Sequence, residues 1–355
     1  MVRRVCLVSG GTGGHLMPAL VLGEALRERG HDTVFLAEGR GVETELLRRH
    51  AQQAEALPVG RRDLLFPLRM ARCIGTARRY LRAHGVEMVV ATGGAASLAA
   101  GLAARSLGVP LVLLEQNVHP GAANRWLAPW AERTYLGLPS PAPRARSLYT
   151  GTPVRRDIRD VDRGAARRSL GLCADVPVVL VTGGSQGAEH LNVTVPAALS
   201  ALRRPLQVLH LAGPGQEDAV RSRYAAGEPH GLQALVRPMV ADMGTLYGAA
   251  DLVVCRGGGG TVAELMAAGR AAILVPYPHH RDRQQYHNGM VLEEAGAGIV
   301  IEERRATATA LAGIAETLLR RPHDLLLMGR KARALYPEDV CGRILGDLAK
   351  VVNLN

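Results

Sequence analysis

The sequence predicts an α/β protein built from two similar domains, and three observations support this fold class. An apolar segment of strand type, residues 4–9, is followed by a glycine-rich loop at 10–14 and then by a helical segment. The same order recurs at 176–202, around a second glycine loop. The chain of 355 residues is also long for one domain and comfortable for two.

In the first half, Pro18 is expected to open the first helix and Gly30 to end it. Strands are then expected at 33–36, 87–91 and 109–114, with a helix that ends at Leu107. Glu115-Gln116-Asn117 ends the last of these strands, where open α/β sheets place their ligand sites. An equally good interpretation is that these polar residues cap the next helix.

Residues 60–82 form a basic segment in which only Asp63 opposes the positive charge. Its arginines are Arg61, Arg62, Arg69, Arg72, Arg78, Arg79 and Arg82, and its larger apolar residues are Leu64, Leu65, Phe66, Leu68, Met70 and Ile74. Such a segment can lie on an anionic bilayer surface. It can equally be an amphipathic helix that packs on the sheet and exposes its arginines.

Prolines cluster at 139–153, which predicts a linker and a domain boundary there. An arginine-rich helix is expected at 155–170. Within it Asp160-Val161-Asp162 matches the metal-chelating Asp-x-Asp triplet of some transferases, but we interpret it as a solvated, ion-paired helix face. Further strands are expected at 207–211, 234–237, 252–255, 271–275 and 298–301, and one or two helices at 326–352.

A third glycine loop, residues 256–260, joins the apolar strand 252–254 to a helix that Gly269 ends. This geometry presents backbone N–H groups to an anion. Glu264 lies about one turn into the helix and could accept hydrogen bonds from a vicinal diol. Phosphate and ribose groups together predict a nucleotide, whereas the alternative is a tight turn with an exposed glutamate.

Composition narrows the class of partner. Aromatic residues make up 3% of the chain, so stacking on bases is not a repeated device, and no nucleic-acid-binding motif accompanies the net charge of +11. His279, His280 and His287 lack the carboxylate or cysteine partners of a zinc site. Five widely spaced cysteines fit a reducing compartment, and neither a signal peptide nor a membrane-spanning segment is expected.

Five motifs occur in order along nearly the whole chain: residues 10–15, 115–117, 183–187, Cys255-Arg256 with residues 261–264, and 282–285. Together they resemble the MurG family of peptidoglycan glycosyltransferases. That family transfers N-acetylglucosamine from UDP-N-acetylglucosamine to a lipid-linked muramyl-pentapeptide, so lipid I becomes lipid II. The resemblance implies an inverting, hexosyl-transferring enzyme that needs no metal or other cofactor.

The resemblance also implies the glycosyltransferase B-type fold, with two Rossmann-like domains facing a cleft and a C-terminal helix returning to the first domain. Residues 1–153 and about 335–355 would bind the acceptor and an anionic membrane surface through about 60–82. Residues 154–334 would bind the UDP-sugar. The enzyme would sit peripherally on the cytoplasmic face of the plasma membrane.

Site residues follow from the same resemblance. His15 would be the general base for the acceptor hydroxyl, or would orient the acceptor diphosphate beside Gly13 and Gly14. His15 and Asn117 would bind the acceptor. The implied donor-binding residues are Thr12, Gly13, Gly14, Arg155, Gly184, Ser185, Gln186, Gly187, Val240, Arg256, Thr261, Glu264, Gln284, Gln285 and Asn288. Ala95 departs from the family, which has tyrosine there, and four glycines follow Arg256.

Other functions stay open at this point. One is a different UDP-sugar enzyme of the same fold, such as a glycolipid transferase or a UDP-N-acetylglucosamine 2-epimerase. Another is a non-catalytic partner that binds a nucleotide-sugar or anchors an enzyme at the membrane. That last reading predicts that loss of His15 leaves the role of the protein intact.

Overall fold

The computed structural model describes residues 3–10, 13–39, 41–50, 52–60, 63–143, 145–226, 231–240 and 242–352. The chain divides into two compact units. The first comprises Met1–Val154 with Pro337–Asn355, and the second comprises Arg155–Tyr336.

The first unit is built on a parallel sheet with helices between its strands. Its strands are β1 (Arg4–Val8), β2 (Asp32–Ala37), β3 (Ala54–Ala56), β4 (Met88–Ala91), β5 (Leu111–Glu115), β6 (Arg133–Leu136) and β7 (Ser147–Tyr149). Its helices are α1 (Gly13–Glu28), α2 (Gly41–Arg49), α3 (Phe66–Ala83), α4 (Gly94–Leu107) and α5 (Ala122–Leu127), and a 3-10 turn spans Ala128–Trp130. Among the described residues the strand order is β3-β2-β1-β4-β5-β6-β7.

The central strands of this sheet are apolar on both faces because helices cover both faces. Every residue of β4 and β5 is buried. Helix α3 contributes Met70, Cys73, Ala77 and Leu81 to the core, a spacing of three and four residues that places them on one side of the helix. The predicted role of the 60–82 segment as a helix packed on the sheet is therefore correct for that side of α3.

A last helix, α15 (Val340–Val351), completes the first unit. Its residues Ile344, Leu345 and Leu348 are buried. Asp347 accepts hydrogen bonds from Arg133 Nε at 2.8 Å and from the Tyr135 hydroxyl at 2.9 Å, both on β6. The C-terminal helix thus packs on the first domain.

The second unit repeats the same plan. Its strands are β8 (Val178–Thr182), β9 (Leu206–Leu211), β10 (Leu232–Arg237), β11 (Leu252–Cys255), β12 (Ala271–Leu274) and β13 (Gly298–Val300). Its helices are α6 (Arg156–Arg159), α7 (Arg163–Ser169), α8 (Glu189–Ser200), α9 (Glu217–Ala226), α10 (Met243–Ala249), α11 (Gly259–Ala268), α12 (Gln284–Glu294), α13 (Ala308–Leu319) and α14 (Pro322–Leu335), with a 3-10 turn at Glu303–Arg305. Its described strands run parallel in the order β10-β9-β8-β11-β12-β13.

Both sheets therefore show the Rossmann arrangement, in which strand order reverses between the first and fourth strands of the unit. In the first unit the reversal lies between β1 and β4, and in the second between β8 and β11. Ligands of such sheets bind beyond the carboxyl ends of the strands at this point. The predicted fold class, two Rossmann-like α/β domains, is confirmed.

Several local predictions were wrong. Helix α1 begins at Gly13, so Pro18 lies inside the helix instead of opening it. Strand β7 forms inside the segment predicted as a linker, because its short backbone pairs with β6. The helix expected at 155–170 is interrupted, and Asp162 caps the start of α7 by accepting a hydrogen bond from the Ala165 N–H, instead of lying on a solvated helix face.

No helix within the described part of the chain is both long and apolar enough to cross a membrane.

Candidate active site

In the first unit, two glycine segments meet where the strand order reverses. Gly10 follows β1, and Gly93-Gly94 follows β4. Gly94 has φ +83°, and a Cβ on it would lie 2.3 Å from the Gly10 carbonyl oxygen. Only glycine allows this approach. The predicted donor residue Thr12 lies outside the described residues, whereas Gly13 and Gly14 form the first turn of α1.

The His15 side chain is held by a contact with Gly93 and by two hydrogen-bond acceptors. Its ring lies against Gly93, where a Cβ would come within 3.0 Å of Cε1. His15 Nδ1 is 2.8 Å from the Thr92 carbonyl oxygen and 3.1 Å from Gln116 Oε1. A carbonyl can only accept, so Nδ1 carries the proton and Nε2 of the neutral ring keeps a lone pair. The side chain is half-buried.

Glu115 organises the loop after β5, a role that the sequence did not indicate. Its buried carboxylate accepts hydrogen bonds from the Asn117 N–H at 3.0 Å, Asn117 Nδ2 at 2.9 Å, the Gly121 N–H at 2.9 Å and Asn124 Nδ2 at 2.9 Å. Asn117, predicted to contact the acceptor, is thus held by a neighbouring carboxylate. Gln116, buried in the same loop, reaches His15.

In the second unit, the loop after β8 is a compact turn. Gly187 has φ +74°, and a Cβ there would lie 2.0 Å from the Ala212 carbonyl oxygen, so glycine is required. The Gly187 N–H donates to the Gly184 carbonyl at 3.0 Å, and the Gly184 N–H donates to Thr182 Oγ1 at 3.3 Å. These two N–H groups were expected to face phosphate, but both donate hydrogen bonds within the turn. Within the described residues, the N–H groups of Ser185 and Gln186 have no protein acceptor.

The loop after β11 leads into α11, whose first turn has no side-chain cap. Uncapped N–H groups and the positive end of the helix attract an anion. The loop is fixed by close packing, since a Cβ on Gly257 would lie 2.1 Å from the Gln285 carbonyl oxygen. Asn288 Nδ2 donates to the Gly257 carbonyl at 3.1 Å.

Two side chains predicted to bind the donor, Asn288 and Arg256, make contacts inside the protein. Asn288 is completely buried, so it positions Gly257. Arg256 is 9% exposed, and its guanidinium donates to the Val275 carbonyl at 3.0 Å and pairs with Glu303 at 2.5 Å. The family resemblance implied a donor role for both positions, but the direction of each side chain depends on partners far along the chain.

Glu264 lies on α11 within a group of polar side chains. Its Oε2 accepts a hydrogen bond from the Tyr247 hydroxyl at 3.0 Å. Burial raises the pKa of Glu264 above its usual value, Asp157 acts in the same direction, and the Tyr247 hydrogen bond and the Arg155 charge oppose the rise. Arg155 and Glu264, each predicted separately as a donor-binding residue, are therefore close enough for their charges to interact. Thr261, also predicted, lies one turn earlier and is half-buried.

The polar segment before α12 also adjoins the third glycine loop. Arg283 precedes the helix with φ +48°, a left-handed conformation unusual for this residue type. Gln285 Oε1 accepts from the Tyr277 N–H at 3.0 Å, so the amide nitrogen remains for other partners. Gln284 and Gln285 are both half-buried.

Val240, also predicted to bind the donor, lies apart from these residues. It lines a small cavity of about 200 Å³ with Leu211 and Leu246.

Across the described residues, no three His, Cys, Asp or Glu side chains are grouped to hold a metal ion. The polar groups at the carboxyl ends of the two sheets are loop amides, uncapped helix starts, amide side chains and the carboxylates of Glu115 and Glu264. This donor set suits phosphate groups and hydroxyls of a nucleotide-sugar.

Comparison with known proteins agrees with these features. Residues 5–136 match the glycosyltransferase family 28 N-terminal domain, and residues 178–338 match the glycosyltransferase family 28 C-terminal domain. A relative from Neisseria meningitidis serogroup C is 38% identical over 88% of this chain and 89% of its own length. It is named UDP-N-acetylglucosamine–N-acetylmuramyl-(pentapeptide) pyrophosphoryl-undecaprenol N-acetylglucosamine transferase.

Solved structures show the same relationship. The crystal structure of Acinetobacter baumannii MurG superposes with a TM-score of 0.80 at 30% identity, covering 98% of this chain and 99% of that one. The UDP-N-acetylglucosamine 2-epimerase of Neisseria meningitidis, bound to its UDP-sugar, superposes with a TM-score of 0.70. It is only 13% identical over 98% of this chain and 100% of its own, so that likeness concerns the fold alone.

The fold and the two family matches define a hexosyltransferase of the glycosyltransferase B type. Sequence identity to named relatives assigns the chain to one family within this class. The chain belongs to the MurG family, the N-acetylglucosaminyl transferases of peptidoglycan synthesis.

Proposed function

We propose that this enzyme transfers N-acetylglucosamine from UDP-N-acetylglucosamine to the 4-hydroxyl of undecaprenyl-pyrophosphoryl-muramyl-pentapeptide, with inversion and without a metal. The observation that carries the proposal is 38% identity to a relative named for this transfer, over 88% of the chain. Glycine loops lie at the carboxyl ends of both sheets, where such a reaction needs its phosphate-binding groups.

The donor diphosphate would bind the second unit. The N–H groups of Ser185 and Gln186 and the uncapped start of α11 are available to it. When the sugar leaves, negative charge develops on the diphosphate, and fixed N–H dipoles can stabilise that charge without reorganising. Arg256 would act indirectly, by holding the third glycine loop in place.

The rest of the donor would be bound along the same sheet edge. Glu264 would accept hydrogen bonds from the two ribose hydroxyls, with Arg155 favouring its ionised form. Gln284 and Gln285 would bind the sugar hydroxyls, and a backbone group at Val240 would read the uracil. Thr261, in the first turn of α11, would lie beside the phosphates.

His15 would remove the proton of the acceptor hydroxyl. With Nδ1–H donated to Thr92 and Gln116, the lone pair on Nε2 is free to take that proton. Gly13 and Gly14, at the start of α1, would present N–H groups to a phosphate. Asn117 would contact the acceptor from the loop that Glu115 organises.

We also propose that α3 docks on an anionic membrane surface, at the cytoplasmic face of the plasma membrane. Leu64, Leu65 and Leu68 are 99%, 60% and 53% exposed. Arg72 and Arg79 are exposed further along α3. Positions 65, 68, 72 and 79 fall on one side of the helix, so leucines and arginines share a face. Arg61 and Arg62 of the predicted patch lie outside the described residues.

The transfer is tested with labelled UDP-N-acetylglucosamine and a short-chain lipid I analogue in the presence of a chelator. His15→Ala should lower kcat by about 100-fold or more, while the affinity for UDP is kept. His50→Ala is the matched control, because His50 pairs with Glu24 well away from the first turn of α1. If wild type binds the donor but transfers nothing, an epimerase or a binding protein becomes the better reading.

Docking is tested by co-sedimentation with phosphatidylglycerol vesicles. Replacement of Leu64, Leu65 and Leu68 by serine should abolish sedimentation at low salt without lowering Tm, since the three side chains are already exposed. Leu148→Ser with Val193→Ser, two other exposed apolar positions, is the control. Equal sedimentation of both variants would remove α3 as the docking element.

A further inference from the structure

The second unit contains a cavity of about 750 Å³ at the edge of the sheet opposite the nucleotide loops. Its lining includes residues 175–177 before β8, Asp251 before β11 and Arg270 before β12. These positions lie at the amino ends of parallel strands, whereas the glycine loops follow the carboxyl ends. The cavity is therefore separate from the proposed donor site.

The lining is strongly cationic, with eight arginines and two aspartates. Asp251 is already neutralised, because it pairs with Arg163 at 2.5 Å and Arg167 at 2.6 Å. Arg167 is 3% exposed and also donates to the Ala249 carbonyl at 3.1 Å, so it belongs to the framework. Arg320, directly after α13, pairs with Glu316 of that helix at 2.5 Å.

The remaining arginines of the lining form no ion pair with any carboxylate in the described part of the chain. They are Arg159, Arg204, Arg270, Arg330 and Arg333. The Nε atoms of Arg159, Arg204 and Arg270 are buried and have no hydrogen-bond partner there. Burial lowers the pKa of Arg270, and the charges of Arg163 and Arg167 act in the same direction, although Asp251 opposes them.

A group of guanidinium ions with unmade hydrogen bonds is costly without an anion. Arginine recognises phosphate oxygens through two parallel N–H donors, which makes phosphate the anion it fits best. The unpaired arginines come from α6, the segment before β9, the segment before β12 and α14, so they surround the space from several sides.

We propose that this cavity binds a ligand with two or more linked phosphate groups. Arg270 Nη2 donates to the Gly248 carbonyl at 3.2 Å and Arg333 Nη1 to the Tyr336 carbonyl at 3.3 Å, but none of the five arginines has an ion-pair partner among the described residues. One phosphate would engage at most two of these five guanidinium groups in bidentate fashion, so a longer anion satisfies the lining better. The ligand is either a soluble polyphosphate or the diphosphate head of a lipid. Leu326 lines the cavity and is 54% exposed, which gives an apolar rim beside the charged interior.

The test measures binding to the full chain by calorimetry, with saturating UDP to fill the nucleotide site. The soluble probe is sodium tripolyphosphate, and the lipid probe is farnesyl diphosphate in phosphatidylcholine vesicles. The cavity variant is Arg204→Gln with Arg330→Gln. Each lost charge-assisted hydrogen bond weakens binding by about tenfold or more, so the Kd should rise on the order of 100-fold.

The control variant is Arg221→Gln with Arg223→Gln, which removes the same charge from the exposed face of α9. Arg330→Gln alone, at an exposed position, serves if the double variant does not fold. Selective loss of tripolyphosphate binding in the cavity variant supports a soluble ligand, and selective loss of farnesyl diphosphate binding supports a lipid head. The proposal is overturned if neither probe binds wild type, if the cavity variant keeps its affinity, or if both variants lose affinity equally.

Discussion

Replacement of Glu264 by glutamine separates two effects of one half-buried carboxyl group. Glutamine keeps an acceptor oxygen for the Tyr247 hydroxyl, which lies 3.0 Å from Oε2, but it cannot ionise. A hydrogen bond to a charged acceptor contributes about 1.5–3 kcal/mol and a neutral one about 0.5–1.5 kcal/mol. For two ribose hydroxyls the loss is about 2–3 kcal/mol, so the Kd for UDP should rise about 30- to 150-fold.

The same substitution should stabilise the folded protein at pH 8. Burial raises the pKa of Glu264, so the folded state holds this proton more tightly than the unfolded chain. Stability is therefore lost as pH rises through the ordinary carboxyl value towards the raised one. The glutamine variant avoids that loss, and its Tm at pH 8 should exceed that of wild type.

The assay is calorimetric UDP binding at stepwise pH from 8 to 5, with Tm measured in parallel. Wild-type affinity should fall as Glu264 gains its proton and should approach that of the variant at low pH. UDP titrates in the same range, and the variant corrects for this contribution. Glu217→Gln on α9 is the control. An unchanged Kd at pH 8, or a Tm below that of wild type, would refute the reasoning.

Three further substitutions test the contacts around the loops. Gln116→Leu removes one of the two acceptors of His15 Nδ1–H, so kcat should fall about tenfold. The KM for the donor should stay constant in a steady-state assay, and an altered donor KM would contradict this. Asn288→Ala leaves the Gly257 carbonyl without its donor, and urea unfolding should show a loss of about 1–3 kcal/mol together with weaker UDP binding. Asp347→Ala leaves the Arg133 guanidinium without its carboxylate partner, so calorimetry should show a lower Tm. The affinity for UDP should be retained, and a reduced affinity would show that α15 contributes to donor binding.

Much of the fold was predictable because glycine loops and apolar strands are local signals. Gly187 and Gly94 combine a positive φ with a close backbone contact, so glycine at these two positions marks the turns. Local sequence signals fail where contacts with distant parts of the chain determine the bounds or the formation of an element. Pro18 resembles a helix start, yet α1 begins at Gly13, beside the glycine contact with Gly10. Strand β7 is short, and it becomes visible only through its pairing with β6.

The candidate site was predictable by position more than by the direction of its side chains. Glu264 and His15 were identified with their chemistry, although their roles remain predictions. Arg256 and Asn288 were assigned to the donor, but Glu303 and Gly257 hold them inside the protein. Glu115 was noted only as one of three polar residues, because nothing in its sequence neighbourhood reveals a carboxylate that accepts four hydrogen bonds.

The position of α15 bears on how the protein is made. The first unit is synthesised first, but its last helix leaves the ribosome only after the entire second unit. Until then Arg133 and Tyr135 lack their carboxylate partner, and the surface that receives Ile344 and Leu348 stays open. The second unit can therefore finish folding before α15 packs on the first unit. During that interval the surface that later receives Ile344 and Leu348 is an apolar surface to which a chaperone can bind.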